Sequence, residues 1–284
     1  AWPMVLLIVW LRTRQKSVTL EASHGLELVA LLAATLYAFT IPVKGYLSVV
    51  DCVVLGAIFA VYMWRLTKLP AGEPHLVGPA QTIGALPTST RRGVTAVLAV
   101  AAAIIVLLVA KSFATALVST GTQLGIDEFL LVQWLAPLAS EAPEFVVVAI
   151  FAWRAAADAA LGTVVSSKVN QWTLLVGMLP LVYSVAMGGI SDLPLDGRQE
   201  QEILLTAAQS TFAIALLLDR RLSLIGASLL FGLFAVQFVF PDIRNELSIL
   251  YVILAVITVI ISRAHIPETL RGAYQVPKQP ASEH

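Results

Sequence analysis

Residues 128–152 read EFLLVQWLAPLASEAPEFVVVAIFA. The stretch is apolar and long enough to cross a bilayer, which takes about 20 residues. Yet it holds Glu141 and Glu144 within the span, with Pro143 between them. A charged side chain at the centre of a membrane helix costs about 2.5–3.5 kcal/mol on insertion scales, and acids that persist there mark ion or proton routes. Pro143 has no N–H for the carbonyl of Ala139 and its ring clashes there, so a turn opens and a main-chain oxygen is freed beside the carboxylates.

The rest of the chain agrees with a membrane setting. Its 284 residues are 58% hydrophobic and 13% charged, against roughly 45–50% and 25% in soluble domains. The mean hydropathy is +0.85. A formal net charge of zero gives no reason to expect a nucleic-acid partner. The single cysteine, Cys52, excludes an intrachain disulfide. Apolar runs predict spans at 27–43, 46–64, 93–118, 128–152, 159–187, 202–218, 222–240 and 246–262, preceded by a partial span at 1–11. The expected fold is therefore an all-α polytopic transmembrane bundle of eight spans plus a partial one, in contact with lipid. Residues 65–92, rich in proline and glycine, read as a linker between two bundles.

Lysine and arginine favour cytoplasmic loops. Arg12, Arg14, Lys16, Arg65, Lys68, Arg91, Arg92, Arg154, Arg220, Arg221, Arg263 and Arg271 all fall on one side if the spans alternate. That places the linker and the C-terminal tail, 264–284, in the cytoplasm. Shifting the chain against itself by 175 residues pairs Glu27 with Glu202, Ala33 with Ala208, Ala38 with Ala213, Leu47–Ser48 with Leu222–Ser223, Leu55 with Leu230, and FAV at 59–61 with FAV at 234–236. Glu27 and Glu202 begin their spans on opposite sides, so the two copies are inverted, the arrangement of many secondary transporters. The domains expected are a first repeat at 1–64, the linker, a second repeat at 93–240, and an extra span at 241–263. Because 93–175 precedes the second copy, a matching stretch is expected before the first, from a preceding segment or a second chain.

A second polar stripe lies on the span that begins ALGTVVSSKVNQWTLL, where Thr163, Ser167, Asn170 and Gln171 share a face flanked by Ser166 and Lys168. Carboxylate, hydroxyl, amide and main-chain oxygens together suit a hard cation. Plainer readings exist: hydroxyls in membrane helices serve as packing glue, and Glu141 with Lys168 fits a structural ion pair as well as a site. Asp127, Glu128, Trp153 and Arg154 sit at span ends and read as interfacial. Asp51, near the non-cytoplasmic end of its span, gets no chemical role. His24, His75, His265 and His284 fall in loops or the tail, and no hydrolase or nucleotide-binding motif appears. The chain is thus not expected to be an enzyme. A structural membrane subunit is the alternative, and it leaves the two glutamates unexplained.

LAPLASEAPEF followed by ALGTVVSSKVNQ resembles the second α-repeat of the calcium/cation antiporter superfamily, the sodium/calcium exchanger-like membrane proteins. That family's repeat reads roughly G-T-S-x-P-E-L on one helix and A-x-G-N-x-x-G-S-N-x-x-[ND] on the next. The resemblance implies that Glu144 is the principal cation ligand and proton acceptor, aided by Ser140, Ser167 and the Ala139 carbonyl. Glu141, Lys168 and Gln171 stand where the family has serine, asparagine, and asparagine or aspartate. They are expected to tune charge and selectivity, with Gln171 still at the site. The function implied is secondary antiport of calcium or sodium against sodium or protons, with no cofactor beyond the transported cation. A linker too short for the calcium-sensing domains of animal exchangers implies a prokaryotic form in the inner membrane.

Overall fold

Helix α2 (Gly25–Ala38) is buried along one flank by small residues, with Ala34 and Ala38 wholly covered and Ala30 nearly so. Lipid tails are as apolar as leucine, so helices in a bilayer associate through close packing, which small residues permit. The computed structural model describes residues 2–69, 76, 78–125, 136–264 and 266–267. They fall into two compact units, Ala1–Ala71 with Val147–His284, and Gly72–Val146.

In the larger unit α2 packs against α4 (Val49–Leu66), α8 (Ala157–Asn170) and α10 (Gly197–Leu216). Ala207, Ala208, Ala213 and Ala215 give α10 its own small-residue face, and α12 (Arg244–Ser262) lies along that helix. Helices α1 (Trp2–Thr13) and α11 (Leu224–Val239) are shorter and pack on each other. A short α3 (Thr40–Lys44) follows α2 and ends at Gly45, whose φ of +76° closes the helix in the left-handed region. The outward faces are apolar: Val50, Val53 and Val61 on α4 and Ile253, Ile257 and Ile260 on α12 are exposed. Helices satisfy their own backbone hydrogen bonds, so such faces suit a hydrocarbon solvent.

The smaller unit contains α5 (Pro79–Gly84), α6 (Thr88–Gln123) and the first part of α7 (Ala136–Trp153). Helix α6 has 36 residues, about 54 Å at 1.5 Å per residue, well beyond a hydrocarbon core of about 30 Å. It begins at Thr88, inside the stretch expected to be linker, and α5 also lies there.

Among the described residues, five helices are long and apolar enough to cross a membrane: Gly25–Lys44, Val49–Leu66, Thr88–Gln123, Ala157–Ala186 and Arg244–Ser262. Of the other expected spans, residues 128–135 of 128–152 lie outside the described residues. The 202–218 span is found within α10, whose first turns are polar, and α11 and the partial first span are short helices. The span at 159–187 is one unbroken helical run, in which α8 passes through a π turn (Gln171–Leu175) into α9 (Val176–Ala186).

Among the described residues, four very short strands tie the larger unit together. β1 (Ser17–Thr19) pairs antiparallel with β4 (Arg221–Ser223), and β2 (Tyr46–Leu47) with β3 (Leu193–Pro194). Each strand enters a long helix: β1 leads to α2, β2 to α4, β3 to α10 and β4 to α11. A shift of 175 residues carries Thr19 of β1 onto Pro194 of β3, and Leu47 of β2 onto Leu222 of β4. The repeated Leu–Ser has a local cause. Ser48 is the N-cap of α4, and Ser223 is the N-cap of α11, where its hydroxyl accepts from the Gly226 N–H at 3.1 Å.

Candidate functional site

Helix α8 presents Ser167 and Lys168, and Gln171 opens the π turn that follows. A π turn inserts one residue into the helical register and recurs at functional positions. Here it rotates the helix directly after the polar stripe. All three side chains are partly buried. The Lys168 ammonium lies 6.0 Å from the centroid of the Trp172 ring, a range in which an aromatic face attracts a cation. Trp172 is itself buried and its indole N–H donates to Ser210 Oγ at 3.3 Å. Thr163 takes the plainer of its two readings, since its hydroxyl donates to the Ala159 carbonyl at 2.7 Å.

Ala139, Ser140, Glu141 and Glu144 belong to α7, on the part assigned to the smaller unit. Pro143 sits inside this helix, so no N–H at that position reaches the Ala139 carbonyl. Glu141 and Glu144 are partly buried. Past the unit boundary the same helix buries Val148 and Ala152 and ends at Trp153, 60% exposed with the Arg12 guanidinium 5.9 Å from its ring centroid. Asp127, Glu128 and Gln133 lie outside the described residues.

One cluster went unread in the sequence. His24, taken for a loop residue, precedes α2 and stands between two acids. Its Nδ1 is 3.5 Å from Glu27 Oε1 and its Nε2 is 3.4 Å from Asp158 Oδ2, at the start of α8. Asp158 also accepts from the Glu21 N–H at 2.7 Å. The imidazole lies against Gly162, where a Cβ would come within 2.3 Å of the ring. The Tyr62 hydroxyl of α4 hydrogen-bonds the Ser166 side chain and feels the charge of Glu27. Ser-x-Lys spacing on one helix could not announce this cluster, because its members come from separate segments.

Burial alone would push the His24 imidazole down, but Asp158 and Glu27 outweigh it and raise it from 6.5 to about 10. A raised value means the folded state holds a proton that the unfolded chain releases. The stabilisation is therefore complete below about 6.5 and is lost as pH climbs through about 10. We expect the melting midpoint in detergent to decline across that window. The decline should flatten in His24→Gln, and an equal slope in both proteins would contradict it.

Two further acids of the larger unit, Glu202 and Asp51, are held by basic side chains. Glu202 accepts from Arg244 Nε at 2.5 Å, so both glutamates matched by the 175-residue shift have a basic partner. Asp51 is fully buried at the head of α4 and bonded to Ser48, Tyr37 and Lys44. Among the described residues no three His, Cys, Asp or Glu side chains gather as a resident metal site.

An all-α membrane bundle that places carboxylates, hydroxyls and an amide within apolar spans has the build of an ion transporter. The family model described as sodium/calcium exchanger protein matches residues 94–241. A crystal structure of the H+/Ca2+ exchanger CAX superposes with a TM-score of 0.89 at 41% identity, covering 97% of this chain and 71% of its own. Comparison with curated proteins gives no match. The chain belongs to the sodium/calcium exchanger family.

Proposed function

We propose that the protein is a secondary-active antiporter that moves calcium in exchange for protons or sodium. The observation carrying this reading is the 41% identity over nearly the whole chain to an H+/Ca2+ exchanger, with the Pro143–Glu144 motif inside the matched family region. Glu144 is the principal carboxylate ligand and proton acceptor in this proposal. Ser140, the Ala139 carbonyl and Ser167 supply further oxygens, and Glu141, Lys168 and Gln171 adjust charge and selectivity. Oxygen donors of mixed type are what a calcium ion takes. Alternating access follows if one set of helices moves against the other to open the site to each side in turn.

Residues 1–64 and 93–240 are, in this proposal, inverted copies. The reciprocal strand pairing supports it, because a two-fold operation exchanging β1 with β3 and β2 with β4 turns one pair into the other. The basic loops support a cytoplasmic C-terminus, and the short linker a prokaryotic inner-membrane protein.

The test is flux in proteoliposomes: an imposed calcium gradient should drive protons or sodium the opposite way. No flux, together with tight copurification of another protein, would favour a structural subunit. Lys168→Asn removes a fixed ammonium from the second site helix, and we expect ion preference to shift toward divalents. Unchanged selectivity would assign Lys168 to structural pairing.

A further inference from the structure

We propose that His24 and Glu27 are positioning residues for transport, holding in place the helix α8 that carries Ser167, Lys168 and Gln171. The inference rests on the reading of α8 as an ion-site helix, and every residue in it belongs to the larger unit.

Helix α8 is fastened at two points. At its first turn, Asp158 meets the His24 imidazolium, whose other nitrogen faces Glu27 on α2. Two turns further on, Ser166 bonds to Tyr62 of α4, and Tyr62 lies in the field of the same Glu27. Glu27 is thus a node shared by both fastenings. Its side chain is 7% exposed, and its Oε2 has no hydrogen-bond partner among the described residues. The His24 imidazolium faces it directly, with Asp158 on the far side of that ring, and the Tyr62 hydroxyl lies in its field.

The arrangement needs a cation at position 24 and no side chain at position 162. Without the imidazolium, the buried Glu27 and the partly exposed Asp158 lose the cation that stands between them, and the two like charges repel. With a methyl at 162 the ring could not stay where it is, since Cβ would stand 2.3 Å from Cε1 and 2.6 Å from Nε2. Either change frees the head of α8. Ser167 lies nine residues beyond Asp158, about 14 Å along a helix rising 1.5 Å per residue. A shift at the head therefore reaches the ligand through a rigid element. Ser167 and Gln171 are proposed to bind the cation, so the effect falls on apparent affinity more than on maximal rate.

The experiment reconstitutes the full chain in proteoliposomes and measures initial calcium uptake against calcium concentration under a proton gradient. His24→Gln should raise KM by roughly twofold to thirtyfold, the range over which residues act on a site through others, with little change in maximal rate. His24→Lys, which keeps the charge, should recover most of the lost affinity. Gly162→Ala should reproduce the glutamine variant. Melting midpoints recorded alongside separate packing from positioning, and His24→Gln with a lowered midpoint and an unchanged KM would overturn the proposal. Equal KM in the lysine and glutamine variants would also overturn it, because the charge would then be irrelevant. A wild-type protein that moves no ion defeats the ion-site reading, and this inference with it. A wild-type protein that transports normally beside an unaffected His24→Gln defeats the inference alone.

Discussion

Glu144→Gln should abolish calcium-driven proton movement while leaving a folded protein. The substitution keeps size and one oxygen, so a helix that already tolerates Pro143 has no new steric demand. It removes the charge that offsets a divalent cation and the group that takes up a proton when the cation leaves. An antiporter needs both roles at one place, because competition between the two ions for one carboxylate couples their opposite movements. The neutral amide can serve neither. Flux is read with a calcium gradient and an internal pH dye, and folding by size-exclusion profile and melting midpoint. Residual flux at the wild-type rate would remove Glu144 from the site, and a collapsed elution profile would mean the residue is structural.

The second large effect is expected far from that chemistry. Asp51→Ala should lower stability by about 3 kcal/mol, the lower end of what is lost when one partner of a buried ion pair is removed. Asp51 is 0% exposed and accepts from Tyr37 Oη at 2.6 Å, Lys44 Nζ at 2.5 Å, Ser48 N at 2.7 Å and Ser48 Oγ at 2.9 Å. One carboxylate thus joins α2, the end of α3 and the N-cap of α4. Alanine strands these donors together and abolishes the capping box. Lys44 keeps 28% exposure, so water recovers part of the loss, which is why the lower figure applies. Lys44→Met should cost less, since Asp51 retains three donors. Thermal unfolding in detergent ranks the two, and a reversed ranking would contradict this account.

The all-α membrane character was legible in the sequence because burial in lipid needs only composition and length, and both are local. Glu144 draws attention for the same reason, since an acid beside a proline stands out in an apolar run, and its role in the site is what the flux experiment tests. The 175-residue shift was legible through Leu47–Ser48 and Leu222–Ser223, and the structure supplies its cause in strand ends and helix caps. Asp51 could have been read as a cap from Ser48 three residues before it, a spacing that announces one. His24 could not. Its partner Asp158 lies 134 residues away, and the room for its ring depends on Gly162, so only the folded chain assembles the cluster. The π turn at Gln171 was equally silent, because a one-residue slip in helical register leaves no composition signal. The short strands have two or three residues each, too few for alternation to register.

Those strands also set a timetable. β1 must wait for β4, roughly 200 residues later in the chain, and β2 for β3, roughly 150 later. At about 5–20 residues per second of synthesis, β1 stays unpaired for about 10–40 s after it leaves the ribosome. Its neighbours α1 and α2 can already lie in the bilayer during that interval. The β1–β4 seam of the larger unit therefore closes only after translation has passed residue 223, and a nascent chain arrested short of that point presents a bare backbone edge to whatever insertase or chaperone attends it.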